Sequence, residues 1–433
     1  MFLNDISIDW IGKVPIGWEI KRVKHLFFLK KEVSENPTDE KILSLTFGGI
    51  VVRDVSSNEG QLPETYNGYT KIYPNDIVMN PMDLRSGWVD KSMYEGIISP
   101  SYYVLNTGMD IVNIGYFNYQ LQRHYKERIF FPFGQGVSYD YRWGMGRETL
   151  LNFPMLLPPQ KTQSGIVSFL DNKTQKIDQL IDLTEKKIKL LKEQRTSLIN
   201  HCITKGLNPN VEMKDSGIEW IGKIPSHWYR TKISRFCEVK DGTHDTPKFL
   251  DPNERTIPLV TSNSFINGEI DFTKSKHISI EDYTEINKRS DVQINDIIMS
   301  MIGSNIGNRV LVKTDSPFSI KNVCLFKTSK SVGLVPKYLL HLIDSKYLLY
   351  QVDFNQKGGG QPFLSLNELR NLIFPFPPEN EQNQIVEHLD KLTQKVDTTI
   401  EIESQRIDLL KEYRQSLISE VVTGKIDVRD WKE

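Results

Sequence analysis

The groups in this chain that could do covalent chemistry are few, and their spacing argues against it. Methyl transfer to the amino group of an extruded base is served by an Asn/Asp-Pro-Pro-aromatic box. The nearest candidates, Asn80-Pro-Met-Asp83 and Asn36-Pro-Thr-Asp39, lack both the second proline and the aromatic residue. No Gly-x-x-x-x-Gly-Lys-Ser/Thr loop is present to cradle a nucleotide phosphate. Gly358-Gly-Gly360 has no strand-to-helix context and reads as a loop. His244 is one of eight scattered histidines and reads as a turn or contact residue rather than a metal ligand or base. The cysteines (Cys202, Cys237, Cys324) are odd in number, far apart and never in a C-x-x-C pair. That pattern argues for a reducing compartment and against a disulfide frame or a structural zinc. The expectation is a chain that is not itself an enzyme, with no catalytic residues, no metal and no cofactor of its own.

Functional groups that do not react must recognise, and recognition depends on what holds them. Charged residues at 25% and hydrophobic ones at 39% are ordinary for a soluble globular protein. No apolar run approaches the ~18 residues that span a bilayer, and the opening MFLNDISIDW has no signal-peptide pattern, so a cytoplasmic location is expected. The formal net charge is −1, yet it is unevenly spread. Residues 158–206 carry nine Lys/Arg against five Asp/Glu, and residues 377–433 carry eight against thirteen. Both stretches show a heptad seam: Ile166, Leu170, Ile177, Leu180, Thr184, Ile188, Leu191 and Leu198 in one, Ile385, Leu389, Leu392, Val396, Thr399, Ile407, Leu410, Leu417 and Val421 in the other. Such a pattern predicts two long coiled-coil helices. Opposite charge and chain order favour an antiparallel pair within one chain over a homodimer.

The two helical stretches are copies, as are the segments before them. Trp10-Ile-Gly-Lys-Val-Pro15-x-x-Trp18 returns as Trp220-Ile-Gly-Lys-Ile-Pro225-x-x-Trp228. Pro158-Pro159 returns as Pro377-Pro378, 219 residues later, and the helices match at that offset in Asp171/Asp390, Asp178/Asp397, Arg195/Arg414 and Leu198/Leu417, among others. A period this long means duplicated domains, since solenoid units run only ~20–50 residues. Between the leaders and the helices lie short β-type runs broken by Gly, Pro, Asn and Asp, including Asn75-Asp-Ile-Val-Met79 and its copy Asn295-Asp-Ile-Ile-Met299. The fold class predicted is therefore α+β: two homologous domains at 1–157 and 207–376, separated by long helices within 158–206 and 377–433, with a pseudo-twofold relation. Val422-Thr-Gly-Lys-Ile-Asp427 echoes Ile203-Thr-Lys-Gly-Leu-Asn208, the stretch entering the second leader. The chain thus reads as a ring whose beginning and end lie close together. The four tryptophans of the leaders are assigned to structure.

In its duplicated leader, its Pro-Pro helix entries with Gln163/Gln382 and Ile166/Ile385, its Ile203-Thr-Lys-Gly-Leu helix exit and its Lys240-Asp-Gly-Thr-His-Asp-Thr-Pro247 turn, the chain resembles the specificity (S) subunits of type I restriction–modification systems along its whole length. The first domain has no counterpart of that last turn. The resemblance implies a DNA-binding subunit in which each target-recognition domain reads half of a split site in double-stranded DNA, and the helices space the halves. It also implies docking of two modification (methyltransferase) subunits carrying S-adenosylmethionine for adenine-N6 methylation. Restriction (endonuclease/translocase) subunits would add ATP- and Mg-dependent cleavage. The competing readings are a bifunctional methyltransferase, disfavoured by the missing box, and a coiled-coil scaffold without a nucleic-acid role.

On that reading, base-edge contacts specify and phosphate contacts position. The candidate readers sit on the loops that differ between the copies: Asn80, Asp83, Arg85, Ser86, Tyr139, Tyr141 and Arg142 in the first domain, and Thr243, His244, Ser262, Asn263, Ser304, Asn305 and Gln361 in the second. Arg pairs bidentately with guanine, and Asn or Gln with adenine, at ~1–3 kcal/mol of discrimination each.

Overall fold

The structure, a computed structural model, describes residues 3–5, 10, 12–35, 37, 39–54, 63, 65–136, 143–219, 221–266, 268–347 and 363–431. It divides into two compact units, Met1–Glu185 with Gln405–Glu433, and Lys186–Ser404. Each unit contains one α+β domain and a portion of each long helix.

The two domains are built on the same four-stranded antiparallel sheet. In the first its spatial order is Phe28–Leu29, Tyr103–Asn106, Ile77–Met79, Val89–Lys91; in the second it is Val239–Asp241, Val323–Phe326, Ile297–Ser300, Arg309–Leu311. The registers agree: Met79 faces Tyr103 and Val89, and Met299 faces Cys324 and Arg309. The strand of the repeated motif, Ile77–Met79 in the first domain, is a continuous apolar run because both of its faces are covered. Ile77 and Met79 face the core that includes Tyr116, Phe117 and the long helices, while Val78 joins Val104 and Ile72 on the other side. Ile297 and Met299 against Ile298 repeat this division.

The Asn-Asp that opens each motif has a physical role. Asn75 and Asn295 adopt left-handed backbone (φ 74° and 70°), which Asn tolerates better than most residues. The next residue, Asp76 or Asp296, is fully buried and accepts from the backbone N–H of Tyr73 at 2.9 Å or Gln293 at 2.8 Å. A buried carboxylate needs a cation. Lys30 supplies it at 3.3 Å in the first unit, and the fully buried Lys327 at 2.6 Å in the second.

The leaders form the strands Lys13–Pro15 and Lys223–Pro225, closed by turns in which Trp18 N–H donates to Pro15 O (3.2 Å) and Trp228 N–H to Pro225 O (3.0 Å). The following strands, Glu19–Arg22 and Tyr229–Lys232, pair antiparallel with Pro154–Leu157 and Ile373–Phe376, the last strands before each Pro-Pro. Trp10 stacks on Phe153 at 5.2 Å, Trp18 meets Tyr116 edge-on, and Trp228 is wholly buried with its Nε1–H donated to Glu381 (2.8 Å). These three tryptophans are structural, as expected; Trp220 lies outside the described residues.

The long helices, Gln160–Lys205 and Glu379–Val422, begin directly after the proline pairs, where a missing N–H costs least. Gln163 and Gln382 lock the entries identically. Gln163 Oε1 accepts from Asn113 N–H (2.8 Å) and its Nε2 donates to Ile111 O and Pro158 O (both 2.9 Å). Gln382 Oε1 accepts from Val335 N–H (2.9 Å) and its Nε2 donates to Gly333 O (2.8 Å) and Pro377 O (2.9 Å). Within the first unit Ile166, Leu170 and Ile177 share a core with Leu417, Ile418 and Val421. Within the second, Ile199, Cys202 and Ile203 share one with Ile385, Val386 and Leu389. Arg414 Nε contacts Asp178 at 2.9 Å in the first unit, and the copies of these residues, Arg195 and Asp397, meet at 2.9 Å in the second. The helices are thus an antiparallel intramolecular coiled coil, not halves of a homodimer. Exposed ion pairs contribute only ~0.2–1 kcal/mol each, so the seam residues, at ~1.5–3 kcal/mol per buried side chain, hold the helices and the charges set their register.

Each helix exit packs on a leader. Gly206 (φ 71°) abuts Trp228, and Gly424 (φ 73°) lies so close that an added Cβ would sit 2.6 Å from Pro15 Cγ and 2.9 Å from Trp18 Cζ2. In the second unit the exit and the leader are neighbours in sequence; in the first they come from opposite ends of the chain. Phe169 against Trp431 (5.4 Å) completes that closure. Within the first unit the beginning and end of the chain thus pack together, as the repeated exit motif predicts. Sequence patterning missed the helix Ile280–Ser290, started by Ser279 Oγ accepting from Asp282 N–H (3.0 Å).

Candidate nucleic-acid interface

In the first unit the loop after Met79 is self-supporting. Asn80 Oδ1 accepts from Met82 N–H (3.0 Å), and Asp83 Oδ1 accepts from the N–H groups of Arg85 (2.8 Å) and Ser86 (3.1 Å). Ser86 Oγ donates to the other oxygen of Asp83. Asp83 and Ser86 therefore shape the loop, and Arg85 is left as its exposed cation, its guanidinium 5.7 Å from the Phe131 ring. The described residues on either side of the second predicted stretch lie beside this loop. Gln135–Gly136 pairs with Trp143–Gly144, Leu84 N–H donates to Trp143 O (2.7 Å), and Met145 N–H donates to Pro81 O (2.8 Å). Gly136 and Trp143, which bound the segment holding Tyr139, Tyr141 and Arg142, thus lie near the Asn80–Ser86 loop; those three residues lie outside the described ones.

The second unit repeats this plan with different residues. Leu364 N–H donates to Met301 O (2.9 Å), the counterpart of the Met145–Pro81 bond, and Phe363 bridges to Ile302, so the described residues that follow Gln361 and Gly358–Gly360 lie beside Met301 and Ile302. Gln361 and those glycines are outside the described residues, as is the side chain of Ser304; Asn305 is exposed. Thr243 and His244 reach the same end of the sheet, because Asp241 pairs with Cys324 while Ser300 pairs with Val323. Ser262 and Asn263 follow Val260, whose carbonyl accepts from Lys321 N–H (3.0 Å), and Thr243 N–H donates to Ile320 O (3.0 Å). Three of the predicted stretches therefore converge on the segment 319–323.

That segment holds the residues sequence reasoning missed. Lys321 Nζ donates to His244 O (2.9 Å), Asp245 O (2.7 Å) and Thr246 Oγ1 (2.9 Å), stapling the Asp-Gly-Thr-His-Asp-Thr turn. Any side chain at Gly242 would meet Ile320 O at 2.2 Å, so only glycine fits there. The buried Asp241 carboxylate receives the exposed Arg289 on one oxygen and His244 Nε2 (2.9 Å) on the other. His244 Nδ1 lies 3.3 Å from Asn322 Oδ1. With both ring nitrogens engaged, His244 orients the turn, and Asp245 and Thr246 are left exposed beside it. The signal that could have found Lys321 and Asn322 is Asn322's left-handed backbone (φ 55°), which marks a tight turn only once the fold is known.

All three cysteines are buried; burial, with Asp296 nearby, pushes the Cys237 thiol up to about 12, and burial raises Cys202 and Cys324 as well. Among the described residues no group of three or more His, Cys, Asp or Glu side chains could hold a metal ion, and no helix is long and apolar enough to cross a membrane.

Comparison with known proteins agrees with this geometry. Residues 225–412 match the family described as "Type I restriction modification DNA specificity domain". The MjaVIII specificity subunit of a type I restriction enzyme from Methanocaldococcus jannaschii is 23% identical over 96% of this chain and 95% of its own length. A chain from a structure addressing assembly and conformational transition of the type I R-M system superposes with a TM-score of 0.70 at 13% identity, covering 96% of this chain and 100% of that one. The HsdS subunit from Thermoanaerobacter tengcongensis gives 0.52 at 13% identity, covering 96% and 98%. Residues 225–412 thus match the model of the type I restriction–modification DNA specificity domain, and nearly the whole chain is similar to type I specificity subunits.

Proposed function

We propose that each unit reads one half of a bipartite site in double-stranded DNA, with domains 1–157 and 207–376 as the readers and the paired helices fixing the distance between the halves. One observation carries this reading: a shared sheet delivers loops of unlike sequence to the same end in both domains. Conserved scaffold with divergent tips is what two different half-sites require. Of the predicted readers, Arg85, Asn263 and Asn305 are exposed and suited to base edges. Asn80, Asp83, Ser86, Thr243, His244 and Ser262 act mainly by shaping the loops. Tyr139, Tyr141, Arg142, Ser304 and Gln361 remain proposed readers on the adjoining segments.

Chemistry is left to partners. The long helices expose leucine and isoleucine side chains at copied positions: Leu183 and Leu409 in the first unit, Leu190 and Ile402 in the second. This duplication supports docking of two modification subunits, which would carry S-adenosylmethionine and methylate adenine N6. Restriction subunits using ATP and Mg would complete a nuclease. A subunit with net charge −1 neutralises few phosphates, so the chain alone binds DNA modestly and the modification subunits close the grip. A fluorescence titration of a target duplex, with and without modification subunits, tests this. Equal affinity in the two titrations would contradict it, as would an indifference to which duplex is supplied.

A further inference from the structure

The first domain carries a surface cluster that none of the predicted readers includes. The hairpin Leu43–Thr46/Gly49–Val52 ends in Phe47, which is 62% exposed although it is a large apolar side chain. Its ring lies 6.1 Å from that of Trp88, and the ammonium of Lys126, at the last turn of the helix Ile114–Lys126, sits 4.9 Å from the Trp88 ring and 5.8 Å from that of Phe47. The cluster is continuous with the loop that offers Arg85. Asn80 N–H donates to Trp88 O at 2.9 Å, Asn80 O accepts from Tyr125 Oη–H, and the Tyr125 ring lies 6.4 Å from that of Trp88.

The scaffold does not need this cluster. In the second unit the strand register places Asn308 where the first has Trp88, and the same sheet forms without an aromatic there. A feature absent from one copy, exposed, and joined to the variable loop belongs to what varies between the copies.

We infer that Phe47 and Lys126 form a second contact of the first domain with its half-site: the Phe47 ring against the apolar edge of a base, such as a thymine methyl, and the Lys126 ammonium against a neighbouring phosphate. The chemistry matches the occupant. A cation over aromatic faces is held in place without a carboxylate partner and keeps its charge for an anion, while an exposed ring at a ribbon tip offers an apolar edge but no hydrogen bond. This inference rests on the half-site reading above.

The test uses the full chain assembled with modification subunits, titrated against its target duplex and against duplexes altered in one half at a time, over a range of salt. Phe47→Ala should weaken target binding by about tenfold, lose its effect when the first half-site is already altered, and leave the salt slope unchanged. Lys126→Met should weaken every duplex alike and reduce the slope of log K against log salt by about 0.9; Lys126→Arg should restore both. Wild-type affinity and slope in both variants would overturn the inference while leaving half-site reading intact. Unchanged DNA affinity with weakened capture of the modification subunit would overturn it in favour of a protein contact. Failure of the unaltered assembly to prefer any duplex would overturn both readings together.

Discussion

Replacing Gln382 by alanine removes a side chain that is wholly buried and makes three hydrogen bonds at the point where the second long helix leaves its domain. Val335 N–H then loses the side-chain acceptor it has in the protein interior. A net hydrogen bond contributes ~0.5–1.5 kcal/mol, and an orphaned buried polar group costs ~1–3 kcal/mol. The three carbonyl and amide partners are backbone groups fixed by the strand and helix ends, so they cannot turn toward water. The sum is about 3–5 kcal/mol, less whatever a water entering the vacated space restores. For a unit of this size each kcal/mol moves the midpoint by roughly 2–4 °C, giving a fall on the order of 10 °C in the transition of the second unit. Gln163→Ala should produce the same change in the first unit, because its bonds are the same. Scanning calorimetry of both variants reads the effect, and circular dichroism confirms the helices at 25 °C. A shift of less than about 2 °C in either protein, at ~2–4 °C per kcal/mol, would refute the claim that these glutamines clamp the helix entries.

Three further outcomes follow from the geometry. Arg85→Ala should weaken binding of the assembled protein to one half-site only, by about 1–3 kcal/mol; unchanged affinity and sequence preference in a competition titration would remove Arg85 from the interface. Lys321→Met, which keeps the stem but not the three hydrogen bonds, should reduce preference at the other half-site while leaving the melting profile of the first unit untouched. His124 is fully buried among Trp10, Phe130 and Phe153, and burial, with Arg123 beside it, holds its pKa well below the ordinary histidine value. The unfolded chain then binds the proton more readily, so stability is complete above pH ~6.5 and declines as pH falls below it. Urea melts of the wild type at pH 7.5 and 5.5 should show this loss, and His124→Phe should lessen it; an unaltered pH slope in the variant would count against the assignment.

What the sequence made legible was whatever is written locally or written twice. The helices were readable because a heptad seam repeats over many turns, and the pairing because the two stretches carry opposite charge and follow one another in chain order; in the structure Asp178 and Asp397 meet Arg414 and Arg195 crosswise. The Asn-Asp-Ile strands were readable for the same reason, though the buried charge of Asp76 and Asp296 was not, since Lys30 and Lys327 come from different strands. The interface was half-legible. Loops Asn80–Ser86 and Thr243–His244 could be named as variable turns, yet which of their side chains face outward depends on bonds within the loop, such as those of Asp83. Lys321 stands 75 to 77 residues from the groups it holds, and Phe47, Trp88 and Lys126 come from a hairpin, a loop and a helix. No spacing in one sequence marks such a meeting; only the sheet register creates it.

Methylation mapping of DNA from cells that carry this chain with a modification subunit, repeated with residues 19–157 exchanged for those of a family member of different preference, probes the two-reader arrangement most directly. The expected map is a split motif with an unspecified spacer, in which the exchange rewrites one half and preserves the other half and the spacer length. An uninterrupted motif, or an exchange that rewrites both halves, would contradict it.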